Sequence, residues 1–536
     1  MCMNNTNSSP STRLTGKFTY WEILAARDIQ INTLFVSAIA GLLVLNIFSA
    51  IKQHYSGVKA EAVGYRSLFE PGWLVRLRFV RGSTPIIRDG YRKFRETMFR
   101  VLRNDGDILI ISNKHLDQLR NMPDEHISAI KAHIKNLLGR FSTTTIMLES
   151  DLPTRVLQQK LTPSLASAIH LLQTELEYAA EVEIPVLPDQ WVSIQMYDVL
   201  LRLVARISAR VFVGPDLCRN KEWLHATIHY TENVFMTVMT LRMFPPIVHS
   251  VLALLMPSYW RIHANLRSAK RLISPIVRER RAAAAEQELG TDANPDLLQM
   301  MMDLATEQEG DPDKLAHRQL LLSLASIHTT TMATAHAIYD LCAHPEYLEP
   351  LQQEVNDVFA AEGSLGKASL NKLRRLDSFM KESQRLNPPS QLAFNRVVQM
   401  PLKLSDGTCL PVGTHFSMAS DAIMHDSDQL PGGGDPEVFD PFRYVRLRED
   451  PDHPENLNRF QFAMTDNSSL HFGHGKFACP GRFFASNEIK LLLSYLLLRY
   501  DFKYPVGQTR PQNLSADENL YPDPSARVLI RKRQYA

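Results

Sequence analysis

Cys479 is the residue whose surroundings point most clearly to chemistry. It stands between Gly475 and Gly481, which allow the backbone to turn sharply or to approach another group closely. Pro480 suits the first position of a helix, where a missing N–H costs nothing. A sulfur at a helix N-terminus lies near free amides and the positive end of the helix dipole, and both favour the thiolate. The stretch is therefore typical of a thiolate that acts as a nucleophile or as a metal ligand.

A lone thiolate restricts the kinds of metal site that this stretch can form. A closed zinc site needs four protein ligands, and no second cysteine at CxxC spacing accompanies Cys479. Haem iron needs only one axial protein ligand, and a cysteine thiolate in that position favours cleavage of the O–O bond. A buried structural cysteine in a glycine-rich turn is the alternative interpretation.

The spacing of four residues around this cysteine resembles a known family signature. Phe472, Gly475, Cys479 and Gly481 match the haem-binding pattern FxxGxxxCxG of the cytochrome P450 superfamily. The resemblance implies a haem b whose iron takes Cys479 as its axial ligand. Phe477 departs from the family, which commonly places His or Arg two residues before the cysteine, against a haem propionate.

Composition sets broad limits on the class of protein. The 536 residues include 59 Lys and Arg against 57 Asp and Glu, so the net charge of +2 gives no reason to expect a nucleic-acid partner. An apolar content of 45% suits a large packed core. The five cysteines are scattered and odd in number, which indicates reduced thiols facing the cytosol and not a disulfide framework.

The N-terminal part of the chain predicts a membrane anchor. Residues 1–28 begin with a polar stretch that has nothing to bury, and we expect a disordered, lumenal N-terminus there. Residues 29–51 follow without a charge, and as a helix they extend about 35 Å, against a hydrocarbon core of about 30 Å. The sequence predicts a transmembrane helix over 29–51. Basic residues flank it equally on both sides, so the sequence alone does not orient it.

A long helix is predicted in the second half of the chain. Asp311 followed by Pro312 is a helix start signal, and the helix has to stop before Pro345. Between Arg318 and Asp340 it carries no charge but many hydroxyl groups. This pattern indicates the central core helix of a large domain, with a polar stripe that faces something buried.

Residues 325–330 of this helix resemble the family's oxygen-binding signature [AG]Gx[DE]T[TS]. Thr329 matches the threonine whose hydroxyl helps to deliver protons during oxygen activation. Ser326 replaces the usual glycine, and His328 replaces the usual acid, as in some fungal members. The resemblance implies catalytic roles for Thr329 and His328, while a threonine that bonds back to its own helix is the alternative.

Three further residues resemble the family's structural lock. Glu382 and Arg385 are three apart on a predicted helix that ends at Asn387, so they share a face. They match the ExxR motif, which in the family joins a downstream arginine, here Arg443. An ordinary surface ion pair is the alternative interpretation.

Arg396 lies just before a hairpin signal at 402–410. It is a candidate to meet a haem propionate, and a surface arginine is the alternative. A strand is predicted at 107–112 from its short apolar run. The proline- and aspartate-rich tail over 515–525 is predicted to be a loop near the mouth of the pocket.

The resemblance implies a mainly α fold with a small β region, the triangular prism of the cytochrome P450 family, as one haem domain over residues 60–536 behind the transmembrane helix. It implies a monooxygenase that uses O₂ as co-substrate and electrons from NADPH, supplied by a membrane-bound NADPH–cytochrome P450 reductase, with cytochrome b5 as a further candidate partner. One oxygen atom enters a C–H bond or double bond of a small apolar substrate. The location implied is the endoplasmic reticulum membrane, single-pass, with the catalytic domain in the cytosol.

The histidine at 328 and residues 472–476 look most like fungal enzymes of secondary metabolism, including relatives of ent-kaurene oxidase. Terpenoids, meroterpenoids and prenylated indoles are the expected substrates. Two alternatives stay open: a reductase-independent relative that rearranges a peroxide, and a membrane haem or redox protein without oxygenase activity, in which His328 occupies the sixth position on the iron.

Overall fold

The computed structural model describes residues 58–67, 69–184, 190–286 and 295–533, together with Gly41. The chain divides into two compact units, Met1–Val58 and Lys59–Ala536, and the second is described below. The predicted N-terminus and transmembrane helix, residues 1–28 and 29–51, lie outside the described residues except for Gly41. Within the described ranges, no helix combines the length and the apolarity that crossing a bilayer requires.

The described residues form a mainly helical body, as predicted. Its α-helices of eight or more residues are α1 Gly72–Arg81, α2 Thr84–Phe94, α3 Ala129–Asn136, α4 Leu165–Glu183, α5 Met196–Phe212, α6 Lys221–Arg242, α7 Pro257–Ala285, α8 Leu297–Leu304, α9 Pro312–Ala343, α10 Leu348–Glu362, α11 Arg374–Leu386 and α12 Arg482–Arg499. Shorter α-helices cover Leu116–Leu119, Gly139–Ser142, Leu152–Val156, Gly214–Cys218, His249–Leu255, Lys367–Lys372, Ser420–Met424 and Arg443–Arg448.

The small β region consists of short strands. They are β1 Glu61–Ala62, β2 Met98–Val101, β3 Ile108–Ile111, β4 Ile127–Ser128, β5 Val192–Gln195, β6 Ala393–Val398, β7 Leu402–Lys403, β8 Cys409–Leu410, β9 His415–Met418, β10 Tyr500–Lys503, β11 Leu514–Ala516, β12 Asn519–Tyr521 and β13 Arg527–Lys532. One mixed sheet has the order β1-β2-β3-β9-β6-β4, and a second has the order β10-β13-β5. The pairs β7–β8 and β11–β12 are separate hairpins.

Helix α9 is the centre of the helical body. Its start is confirmed, because the Asp311 carboxylate accepts a hydrogen bond from the Lys314 amide at 2.9 Å and Pro312 opens the helix. Helices α5, α6, α7, α11 and α12 all pack against it. Most of its residues are buried.

The tail over 515–525 is more ordered than predicted. Strands β11 and β12 pair as a hairpin whose two-residue turn is Asp517-Glu518, with Asp517 at φ +56°. The turn carboxylates are buried against two arginines: Glu518 pairs with Arg103 at 2.9 Å, and Asp517 pairs with Arg242 at the end of α6. The loop prediction over 515–525 is therefore wrong for residues 515–521, because ion pairs to residues far away in sequence hold a turn that lacks the usual glycine.

Candidate functional site

The loop before α12 places Cys479 with backbone hydrogen bonds. The Cys479 amide donates to the Phe472 carbonyl at 2.8 Å, and the Lys476 amide donates to the Arg120 carbonyl at 2.9 Å. Gly475 has φ +74°, and a Cβ on it would lie 2.2 Å from the Arg120 carbonyl oxygen. Glycine is therefore required at 475 by the protein itself.

The other two residues of the signature, Phe472 and Gly481, have different surroundings. The Phe472 ring packs edge-on against Phe462, with 5.4 Å between centroids. At Gly481, φ is −92°, and no described atom lies within 4 Å of an added Cβ. The protein alone gives no reason for glycine at 481, so the open space beside it is consistent with a bulky bound group.

The start of α12 differs from the expectation. The helix begins at Arg482, with Gly481 as its N-cap residue, so Pro480 stands ahead of the helix and not at its first position. The helix start nevertheless affects Cys479, since the backbone N–H groups of Gly481 and Arg482 favour the anionic form of its sulfur. Burial raises the pKa of the Cys479 thiol, while these two amides and the Arg482 charge lower it.

Thr329 lies on an accessible face of the otherwise buried α9. Ala325 and Thr329 are exposed although the helix is covered on several sides, and their spacing of four puts them on one face. The Thr329 hydroxyl donates to the Ala325 carbonyl at 2.8 Å and lies 3.2 Å from that of Ser326. This face of the helix is therefore accessible, and the hydroxyl bonds back to its own helix.

His328 lies on another side of α9. Its Nε2 is 3.2 Å from the Ile228 carbonyl on α6, and its Nδ1 is 3.4 Å from the Tyr197 hydroxyl on α5. Burial lowers the pKa of His328, which keeps the ring neutral near pH 7. With both nitrogens engaged by neighbouring helices, the ring is not brought together with Thr329.

A buried carboxyl connects α12 to the Thr329 turn. Glu488 accepts a hydrogen bond from the Ser208 hydroxyl at 2.6 Å, and the nearby Thr330 hydroxyl, like that of Ser208, lowers its pKa. Burial raises the pKa of Glu488 to about 8, so it is mostly protonated at neutral pH. This contact brings the helix that follows Cys479 against the part of α9 that carries Thr329.

The structure brings Glu382, Arg385 and Arg443 together. Glu382 and Arg385 form two parallel hydrogen bonds of 2.8 Å, and Arg443 Nε lies 3.7 Å from Glu382. Arg385 also donates to the carbonyls of Met424 and Pro436. All three charged side chains are buried, so the trio joins α11 to the segment over 424–443.

Arg396 is buried on strand β6 and is only 3% exposed. Its Nη1 donates to the Asn395 carbonyl at 2.8 Å, and its Nε is buried without a partner in the described part of the chain. His133 on α3 has an accessible surface but is closely surrounded by protein. Desolvation lowers its pKa to about 4, and the charge of Arg396 contributes to this shift. The unpartnered Nε donor of the buried Arg396 therefore suits an anion.

These residues fit a haem. The Cys479 thiol, whose anionic form the Gly481 and Arg482 amides favour, would serve as the axial ligand of the iron. The unused donor of the buried Arg396 would bind a carboxylate of the haem, and the accessible face of α9 would lie against the flat macrocycle. Sequence reasoning missed His133, Glu488 and Phe394, whose ring centroid lies 4.0 Å from the guanidinium carbon of Arg396. Their neighbours come from distant parts of the chain, so no local spacing marks them.

The chain is similar to known proteins of one family. The family model for cytochrome P450 matches residues 95–530. A cytochrome P450 monooxygenase of Emericella nidulans is 58% identical over 509 residues, which cover 95% of this chain and 94% of that protein. Ent-kaurene oxidase of Gibberella intermedia is 43% identical over 536 residues, 99% of each chain. The retinoic acid-bound structure of cyanobacterial CYP120A1 covers 89% of this chain and all of its own, with a TM-score of 0.64 and 19% identity, which bears on the fold alone.

Proposed function

Since the chain belongs to the cytochrome P450 family, we propose that Cys479 holds its haem iron and that the enzyme inserts one oxygen atom into a terpenoid-type substrate in fungal secondary metabolism. The enzyme is an oxidoreductase of the monooxygenase class. Its cofactors are those of the family: haem, O₂, and electrons from NADPH that a reductase supplies. When bound, the haem supplies the oxygen-activating chemistry.

The protein's own side chains have distinct roles in this proposal. The Gly481 and Arg482 amides hold the Cys479 sulfur in place and favour its anionic form. Arg396 is positioned to bind a haem carboxylate with its unused N–H donor. The face of α9 with Ala325 and Thr329 borders the substrate space, and the Thr329 hydroxyl helps to deliver a proton into that space.

The observation that carries the proposal is the setting of Cys479, in a chain whose 43% identity to an ent-kaurene oxidase extends over 99% of both proteins. Epoxidation or hydroxylation of a terpenoid, meroterpenoid or prenylated indole is the activity that follows. The position of His328, engaged by Tyr197 and Ile228, argues against its use as a sixth iron ligand.

The substrate class is tested by coexpression of the full chain with a fungal reductase in a host that supplies terpenoid scaffolds, followed by mass spectrometry. We expect products heavier by one oxygen atom, formed only when NADPH and O₂ are present. A heat-killed preparation and a host without the reductase are the controls. Products without added oxygen, or full activity with peroxide alone, would instead favour the peroxide-rearranging alternative.

We also propose that residues 29–51 anchor the protein in the endoplasmic reticulum membrane with the catalytic domain in the cytosol. N-glycosylation sequons begin at Asn4, Asn7, Asn467 and Asn513. Because glycans are added in the lumen, we expect them at Asn4 or Asn7 and not at Asn467 or Asn513. The glycosylated site is identified from the change in gel mobility on glycosidase treatment, compared between the Asn4→Gln/Asn7→Gln double variant and Asn467→Gln. A glycan on Asn467 alone would show that the orientation is the reverse of the one proposed.

A further inference from the structure

Arg396 is a buried cation without a buried counter-ion. It is only 3% exposed, and no ion pair to it is present among the described residues. Burial lowers the pKa of Arg396 to about 10, with only Asp124 opposing that shift. An isolated charge in such a place is unfavourable unless other groups stabilise it. The side chain therefore needs a further interaction.

Two aromatic rings supply part of that interaction. The guanidinium carbon of Arg396 lies 4.0 Å from the centroid of the Phe394 ring and 5.3 Å from that of Phe477. Both distances are within the range in which an aromatic face attracts a cation, and the attraction is strongest where water is excluded. Lys476 Nζ also lies 5.4 Å from the Phe477 ring. We call Phe394 and Phe477 the aromatic clamp.

The backbone is strained at one member of the clamp. Phe394 has φ +58°, which is a left-handed conformation that a bulky residue rarely adopts. It lies at a register shift between Ala393 and Arg396, where β6 pairs irregularly with β9. Such a bulge re-aims the side chains on its strand, so the strained turn is what places the Phe394 ring against Arg396.

The clamp leaves one edge of the guanidinium free. Nη1 donates to the Asn395 carbonyl, whereas Nε is buried without a partner in the described residues. Neighbouring His133 is kept neutral at pH 7 by desolvation and by Arg396, so it adds no second positive charge beside the arginine. A planar guanidinium whose edge is free binds a carboxylate with geometric precision.

Phe477 connects this arrangement to the cysteine loop. It stands two residues before Cys479, at the end of the short 3₁₀ turn Gly475–Phe477. Arg396 is on a strand of the main sheet, and so the contact between Phe477 and Arg396 links the loop to the sheet. A phenyl ring donates no hydrogen bond to a carboxylate, but it can orient a residue that does.

We propose that Phe477 is a positioning residue, which together with Phe394 holds the Arg396 guanidinium so that its free edge meets a haem carboxylate. The inference rests on the proposed haem site. This chain has Phe477 where the family commonly has a basic residue, and the inference gives that phenylalanine a definite role. Its ring acts through Arg396 and not on the haem itself.

Haem transfer from the purified ferric holoenzyme to excess apomyoglobin tests the proposal. Phe477→Leu removes the aromatic face but keeps apolar bulk, and we expect haem loss roughly tenfold faster, as for a desolvated cation–π contact. Phe477→Tyr keeps the ring and is expected to stay within about twofold of the wild type. Phe477→His keeps a flat ring and adds a donor, so it is expected to hold haem at least as firmly as the wild type.

A double-variant comparison separates positioning from packing. If Phe477 acts through Arg396, Phe477→Leu should no longer accelerate haem loss in an Arg396→Gln background. Tyr178→Leu removes a remote cation–π pair with Arg219, at 3.7 Å, and is expected to leave the rate unchanged. Phe477→Met replaces Phe477→Leu if the latter yields no holoprotein.

The outcomes that overturn the inference are distinct from those that overturn the proposed function. Equal rates for Phe477→Leu and Phe477→Tyr, or an undiminished effect of Phe477→Leu in the Arg396→Gln background, would show that Phe477 only fills space. The carbon monoxide spectrum of the reduced wild type is recorded in parallel. If the wild-type spectrum lacked the signature of thiolate ligation, this would count against Cys479 as the ligand, whatever the Phe477 variants do.

Discussion

Cys479→Ala is expected to abolish oxygen insertion. Without the thiolate the haem loses the axial ligand whose electron donation favours O–O cleavage, so NADPH-dependent product formation should fall by roughly a thousandfold or more. The apolar core behind the loop does not depend on the sulfur, because the Cys479 backbone amide keeps its bond to the Phe472 carbonyl. We therefore expect folded protein that carries less haem, measured by haem content per polypeptide and product yield.

Cys409→Ala is the matched control for this substitution. Cys409 is an exposed free cysteine on β8, in the separate β7–β8 hairpin. Its removal should leave both haem content and turnover unchanged. Full activity in Cys479→Ala, with Cys409→Ala also active, would contradict the assignment of the ligand.

Glu382→Ala is expected to destabilise the fold by about 3–5 kcal/mol, because it leaves buried positive charge without its partner. Arg385 and Arg443 are both buried and both face the Glu382 carboxylate, at 2.8 and 3.7 Å. The Asp440 amide also loses its acceptor, which is Glu382 at 3.1 Å. We expect little soluble holoprotein and a thermal unfolding midpoint lowered by several degrees in what remains.

An exposed ion pair provides the comparison for Glu382→Ala. Glu449 lies 3.4 Å from Arg374, and both side chains are largely exposed. Glu449→Ala should change stability by less than about 1 kcal/mol. If Glu382→Ala and Glu449→Ala unfolded at the same temperature, the Glu382 trio would have no structural role.

Local signals in the sequence predicted several elements well. Asp311 and Pro312 mark the start of α9 because capping is a short-range interaction, and the apolar run at 107–112 became β3. Glu382 and Arg385 share a face because helical geometry alone puts residues three apart together. The mainly helical fold with small sheets followed from the family resemblance carried by a few such motifs.

Other features depend on contacts between distant residues, and no local pattern reports them. The hairpin at 514–521 exists because Arg103 and Arg242 are buried against its turn, although they lie hundreds of residues earlier. The start of α12 at Arg482 likewise depends on how the cysteine loop folds against the Arg120 carbonyl.

The surroundings of two candidate residues could not be predicted from the sequence either. His328 was expected to act beside Thr329, but Tyr197 and Ile228 engage its ring from neighbouring helices. Arg396 was recognised only as a candidate, because its partners Phe394 and Phe477 reach it through a strained bulge and a separate loop. Packing of this kind is decided by the tertiary structure.

The central claim, that Cys479 holds the haem iron as a thiolate, is tested most directly by the carbon monoxide difference spectrum of the reduced full-length protein. We predict the strongly red-shifted Soret band of a thiolate-ligated haem, lost in Cys479→Ala and retained in Cys409→Ala. A band at the position typical of imidazole ligation, or a spectrum unchanged by Cys479→Ala, would contradict the claim.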